Sequence, residues 1–131
     1  MGSRNVIVLD THAWIWLAAD DGRLSDTALS AVRRADRLGV SAISVWEVSM
    51  LCAKGRLQLA PSPRQWIGDA LRLEKLELLP LTADVAMLAT ELRLHGDPAD
   101  RIIVATALVS GSQLVTKDER IVQSGLVSSI W

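Results

Sequence analysis

Val6-Ile7-Val8-Leu9-Asp10 is a run of four apolar residues, three of them β-branched, closed by an acid. An unbroken apolar run of that length reads as a strand buried on both faces, as in the centre of a parallel sheet. From Thr11 to Ala19 the sequence turns helical, and Asp20-Asp21-Gly22 breaks it. A strand followed by a helix, with an acid at the joint, is the opening of an α/β unit.

The same alternation continues outward. Ser25 can cap a helix whose apolar positions Ala28, Ala31, Val32 and Ala35 keep helical spacing, with Gly39 as its end. Val40 to Ile43 then reads as a second strand, and Ser44 opens a helix that Gly55 closes after Lys54. Ser62-Pro63 is a cap followed by a first-turn proline, so a helix runs through Trp66, Ile67, Ala70 and Leu71. Leu78 to Leu81 is a third strand, and Thr82 starts a helix with Val85, Leu88, Ala89 and Leu92 on one face. Asp97-Pro98 starts another through Ile102, Ile103, Ala107 and Leu108, ended by Gly111. Leu114-Val115-Thr116 is a fourth strand, and Val127 to Trp131 a short fifth. The expected architecture is one domain over residues 1–131, an α/β/α sandwich on a four- to five-stranded parallel sheet with right-handed crossovers. In such sheets chemistry gathers beyond the carboxyl ends of the strands.

Composition narrows the function classes. The chain has 131 residues, half of them hydrophobic, enough to bury a core without covalent staples. The single cysteine, Cys52, permits no internal disulfide, and a reduced, cytoplasmic setting is the default expectation. Cys52 itself reads as a buried small apolar residue. No apolar run reaches the length of a membrane span, and Asp10 interrupts the first apolar stretch too early for a secretory pattern. A net charge of −1 gives no global attraction to nucleic acid, so any such contact must be local. Phe and Tyr are absent while Trp occurs five times, and core or interface packing is the plainer reading of most of those tryptophans.

Four acids fall at or just beyond strand ends: Asp10, Glu47, Asp100 and Asp118. Each has a purely structural alternative. Asp10 can cap the helix after it. Ser44-Val45-Trp46-Glu47 has the form of a capping box. Asp97-Pro98-Ala99-Asp100 has the form of a helix start, and Asp118 could be a first-turn acid after a Thr116 cap. Together they describe something else. Four carboxylates facing one crevice repel one another and stay ionised only beside positive charge. An all-oxygen donor set suits Mg²⁺ or Mn²⁺ rather than zinc, and neither His12 nor His95 has a zinc-like partner in spacing. A hard cation in an acidic crevice suits phosphodiester cleavage.

Four strings carry a family resemblance. They are Val8-Leu9-Asp10-Thr11-His12, Ser41-Ala42-Ile43-Ser44-Val45-Trp46-Glu47, Asp97-Pro98-Ala99-Asp100-Arg101-Ile102-Ile103-Val104-Ala105-Thr106-Ala107, and Leu114-Val115-Thr116-Lys117-Asp118. In this order the chain resembles the PIN domain, and most of all the VapC-type toxins of bacterial toxin–antitoxin pairs. The resemblance implies strand order 3-2-1-4-5 and Mg²⁺- or Mn²⁺-dependent endoribonuclease activity that blocks growth. It implies Asp10 and Asp100 as principal metal ligands, Asp118 as a further acid of the metal site, and Glu47 as an acid that holds a metal or positions water. Thr116 and Thr11 would support these acids from behind, while Asp97 competes with Asp100 for its assignment. The resemblance also implies a homodimer, an antitoxin partner and an RNA substrate. Arg101, Lys117 and Arg120 flank the acids and are candidate RNA-phosphate contacts.

Two rival enzyme readings fail on particular residues. A haloacid-type phosphatase needs a second Asp where His12 stands, and a phospho-receiver needs an Asp after the third strand, where Leu79-Pro80-Leu81 has none. A module that binds RNA or a partner without cutting remains the alternative from a different class.

Overall fold

The computed structural model describes residues 5–131. The elements run β1 (Val6–Leu9), α1 (Thr11–Ala19), α2 (Asp26–Arg34), β2 (Arg37–Ser41), α3 (Ala42–Ala53) and α4 (Pro63–Ala70). They continue β3 (Leu76–Leu79), α5 (Ala83–Glu91), α6 (Pro98–Val109), β4 (Gln113–Val115), α7 (Glu119–Ser124) and β5 (Ser129–Ile130). All strand pairs are parallel, in the order β3-β2-β1-β4-β5. The expected sheet and strand order are therefore what forms.

β1 lies at the centre, and its side chains alternate between two cores as strand geometry requires. Ile7 and Leu9 enter one core with Trp14, Val32, Val48 and Ile67, from the helices α1 to α4. Val8 enters the other with Ile103, Val104, Leu114 and Ile121, from α6, β4 and α7. α5 packs on the outside of α6 through Val85, Ala89 and Ala105. Trp14 is fully buried, and its indole N–H donates to the Ala70 carbonyl at 3.1 Å, so its polar edge is satisfied. Cys52 is half-buried beside this core and is not one of its fully enclosed residues. Among the described residues, no helix is long and apolar enough to cross a membrane.

Several boundaries differ from those the sequence predicts. β2 begins at Arg37 and ends at Ser41, upstream of the Val40 to Ile43 expected. Gly39 does not end α2, which stops at Arg34. It sits inside β2, where a Cβ would fall 2.6 Å from the Leu79 side chain, so the glycine lets β3 close over the strand. α3 then starts earlier, capped by Ser41 rather than Ser44. β3 spans Leu76–Leu79 rather than Leu78 to Leu81. α7 is anticipated only in the alternative reading that makes Thr116 a helix cap and Asp118 a first-turn acid. It follows an Asp118 cap and ends at Gly125 in the left-handed region.

Candidate metal centre

Three acids reach the carboxyl edge of the sheet because they cap helices there. Asp10 caps α1, with Oδ1 accepting from the Ala13 amide at 2.8 Å. Asp97 caps α6, and Asp118 caps α7. The capping alternative is thus real for Asp10 and Asp97, and it does not exclude a second role, since each carboxylate keeps further lone pairs. Asp118 is the cap itself, not a first-turn acid after Thr116.

Asp10 is held from two sides. Its amide donates to the Val115 carbonyl at 3.0 Å, which ties the end of β1 to β4. Its Oδ2 accepts from the Thr116 hydroxyl at 2.5 Å, and Thr116 is completely buried. Thr116 Oγ1 in turn accepts the Asp118 amide at 3.0 Å. The hydroxyl therefore links two acids delivered by different strands.

Glu47 is not part of a capping box. It sits past the first turn of α3, buried, with Oε1 at 2.5 Å from Thr11 Oγ1. Ser44 Oγ lies 2.8 Å from the same threonine oxygen. A carboxylate only accepts, so the single Thr11 proton belongs to Glu47 and Ser44 completes the threonine's bonding. Sequence reading assigned Ser44 to a cap and missed this role. The available signal was the three-residue spacing of Ser44 and Glu47, which puts both on one helical face.

Asp100, in the first turn of α6, sends Oδ2 toward Arg120 Nη2 at 3.2 Å. The same Nη2 lies 3.4 Å from Asp118 Oδ2. Asp10, Glu47, Asp97, Asp100 and Asp118 all line one crevice of about 610 Å³, with Thr11, His12, Trp16 and Ile103 in its walls. Lys117 and Arg120 stand on its rim, whereas Arg101 turns away and donates to the Leu94 carbonyl at 3.2 Å. His12 packs against Trp16, ring centroids 5.8 Å apart, in keeping with a packing role.

The acids feel one another. Burial raises the Asp10 carboxyl above its ordinary value against the pull of its hydrogen bonds, and burial raises Glu47 likewise. Asp100 is pushed up to about 6, by burial first and then by the charges of Asp118, Glu47 and Asp97. Acids far apart in the chain thus share one field. Convergence on a crevice is the expected outcome, but ready-made chelation is not what forms. Among the described residues, no three His, Cys, Asp or Glu side chains stand arranged to hold a metal ion as they are. The Arg120 guanidinium spans Asp100 and Asp118. The donor set fits a hard divalent cation in kind: carboxylate oxygens only, with a positive group already drawn to Asp100 and Asp118.

The fold is shared with known proteins. The PIN domain family matches residues 7–125. The chain is 40% identical over 117 residues to Ribonuclease VapC22 from Mycobacterium tuberculosis, covering 88% of both chains. In fold it is similar to the crystal structure of VapBC2 from Rickettsia felis bound to a DNA fragment from their promoter. The TM-score is 0.70 at 16% identity, over 95% of this chain and 96% of that one. It is also similar to a toxin–antitoxin complex from Klebsiella pneumoniae, with a TM-score of 0.56 at 23% identity over 86% of each chain.

Proposed function

This chain belongs to the PIN domain family, and from that premise we propose that it is a divalent-cation-dependent endoribonuclease, the toxin of a toxin–antitoxin pair. One observation carries the proposal: Asp10, Glu47, Asp100 and Asp118, from four separate elements, line a single crevice. The ribonuclease relative and the likeness to toxin–antitoxin structures support the same reading.

Asp10, Asp100 and Asp118 would hold Mg²⁺ or Mn²⁺, with Asp100 preferred over Asp97 because the apolar pattern of α6 follows it directly, as in the family. A bound cation supplies charge to a phosphoryl oxygen and lowers the pKa of water. Thr116 fixes the Asp10 carboxylate, so its remaining lone pairs face the crevice. Thr11 occupies Glu47 Oε1 and leaves Oε2 to orient the attacking water and take up its proton. Lys117 and Arg120, on the rim, would contact RNA phosphates; Arg101 is the weaker candidate, being engaged with Leu94. The antitoxin and a second copy of the chain would cover exposed apolar side chains such as Trp46, Leu78, Leu81 and Met87. The protein would act in the cytoplasm, where its RNA substrate is found.

The test is incubation of the purified chain with structured RNA and Mn²⁺, with and without EDTA, beside Asp10→Asn and Asp100→Asn. Cleavage is expected to require the metal and to vanish in both variants. Undiminished cutting by the variants would refute the assignment, and tight RNA binding without cutting would favour the non-cleaving module.

A further inference from the structure

The acidic crevice already contains a cation of its own. Arg120 lies two residues beyond Asp118, and its side chain is more than half exposed. It nevertheless folds back over the site, with Nη2 within reach of Asp100 Oδ2 at 3.2 Å and Asp118 Oδ2 at 3.4 Å. A second, independent feature explains why it rests there. Gly96, in the turn before α6, has a φ of +116°, and a Cβ built on it would collide with Arg120 Nη1. The missing side chain leaves room for the guanidinium to lie against Gly96.

We propose that Arg120 is a resident counter-ion that competes with the divalent cation for the Asp100–Asp118 pair, so that metal binding drives the guanidinium off its Gly96 seat. This rests on the metal-site reading given above. The two oxygens that Nη2 engages belong to two of the three acids assigned to the metal. A guanidinium and a divalent ion drawn to the same oxygens repel one another, so one must yield. The arginine is built to yield, because it is held at the solvent edge, where ion pairs are weak. Until it yields, it offsets the repulsion between Asp100 and Asp118. Once released, it stands at the mouth of the crevice with its charge unspent.

The test is Mn²⁺ binding to the full chain, without RNA, by titration calorimetry. Arg120→Gln is compared with Lys117→Gln, which removes the same charge from the same rim but from a side chain making no ion pair among the described residues. Arg120→Gln is expected to bind Mn²⁺ about fivefold more tightly than Lys117→Gln. Equal affinities, or weaker binding in Arg120→Gln, would overturn the competition. Asp100→Asn separates the two readings: if it binds Mn²⁺ as the unaltered chain does, the metal site itself is wrong and this proposal falls with it. Nitrogen-15 spectra of the unaltered chain give a check free of any variant. Added Mg²⁺ should move the Arg120 side-chain resonance and leave that of Arg101 in place, and an unmoved Arg120 signal counts against displacement.

Discussion

The Thr116 hydroxyl donates to Asp10 Oδ2 at 2.5 Å while accepting the Asp118 amide at 3.0 Å, in a position completely closed to solvent. One side chain just past β4 thereby sets the carboxylate at the end of β1 and the cap of α7. Thr116→Val keeps the shape but leaves a buried acceptor and an amide unpaired. It should destabilise the fold by about 1–3 kcal/mol in urea unfolding and lower RNA cleavage. Thr116→Ser should retain most of both. A valine variant as stable and active as the unaltered chain would show that the bond is incidental.

Glu47 depends in the same way on Thr11 and, through it, on Ser44. Thr11→Val should reduce the turnover number by about 10- to 100-fold with little change in KM, because it frees the acid and leaves the rim proposed to bind RNA as it is. Ser44→Ala should give a smaller loss in the same direction. Steady-state kinetics on a defined oligonucleotide distinguishes the two parameters, and an effect confined to KM contradicts a positioning role.

Stability should fall with rising pH across the acidic range. Asp100 is pushed up to about 6, so between its ordinary range near 3.8 and that value the folded chain holds a proton the unfolded chain has released. The folded state binds more protons there, and its stability declines as pH rises, levelling off above the raised value. Asp10 and Glu47 are raised as well and act with the same sign. In EDTA the protein should therefore melt at a higher temperature near about pH 5 than near about pH 7.5. Asp100→Asn should narrow that difference, and Mn²⁺ should stabilise most at the higher pH. A pH profile that the variant leaves untouched would contradict the shared field.

Trp14 anchors α1 from below. Its ring is fully buried, edge-on to Trp66 at 5.9 Å, and its N–H satisfies the Ala70 carbonyl at the end of α4. Trp14→Phe removes volume and a donor together and should cost about 2–4 kcal/mol in chemical denaturation. Because α1 begins at Asp10, cleavage should also weaken. A loss below about 1 kcal/mol would mean that the site collapses around the smaller ring.

The sheet was legible from β1 and β4, where an apolar stretch is closed by a polar residue, as Leu9 is by Asp10 and Val115 by Thr116. Placing Asp10 and Asp118 followed from the same punctuation, whereas Glu47 and Asp100 lie within helices. The β2–α3 joint was not legible, since Ala42 and Ile43 extend the apolar run and nothing local marks Ser41 as the cap. What decides it is tertiary: Leu79 closing over Gly39 fixes the strand in register. α7, at six residues, is too short to display a helical period. Arg101 and Arg120 look equivalent as flanking cations, and only the fold turns one toward Leu94 and the other onto Gly96. The part played by Ser44 was hidden because its spacing to Glu47 also spells a capping box.

Asp10 and Asp97 each close the amino end of a helix onto the crevice, so the acids screen amide groups that point the same way. Exchanging a carboxylate for its amide does more than silence the chemistry. It strips negative charge from a floor of aligned N–H dipoles, and such a floor is hospitable to phosphate. The Asp10→Asn chain should therefore be no neutral blank: it is expected to hold RNA more tightly than the unaltered protein, which a binding titration without metal checks.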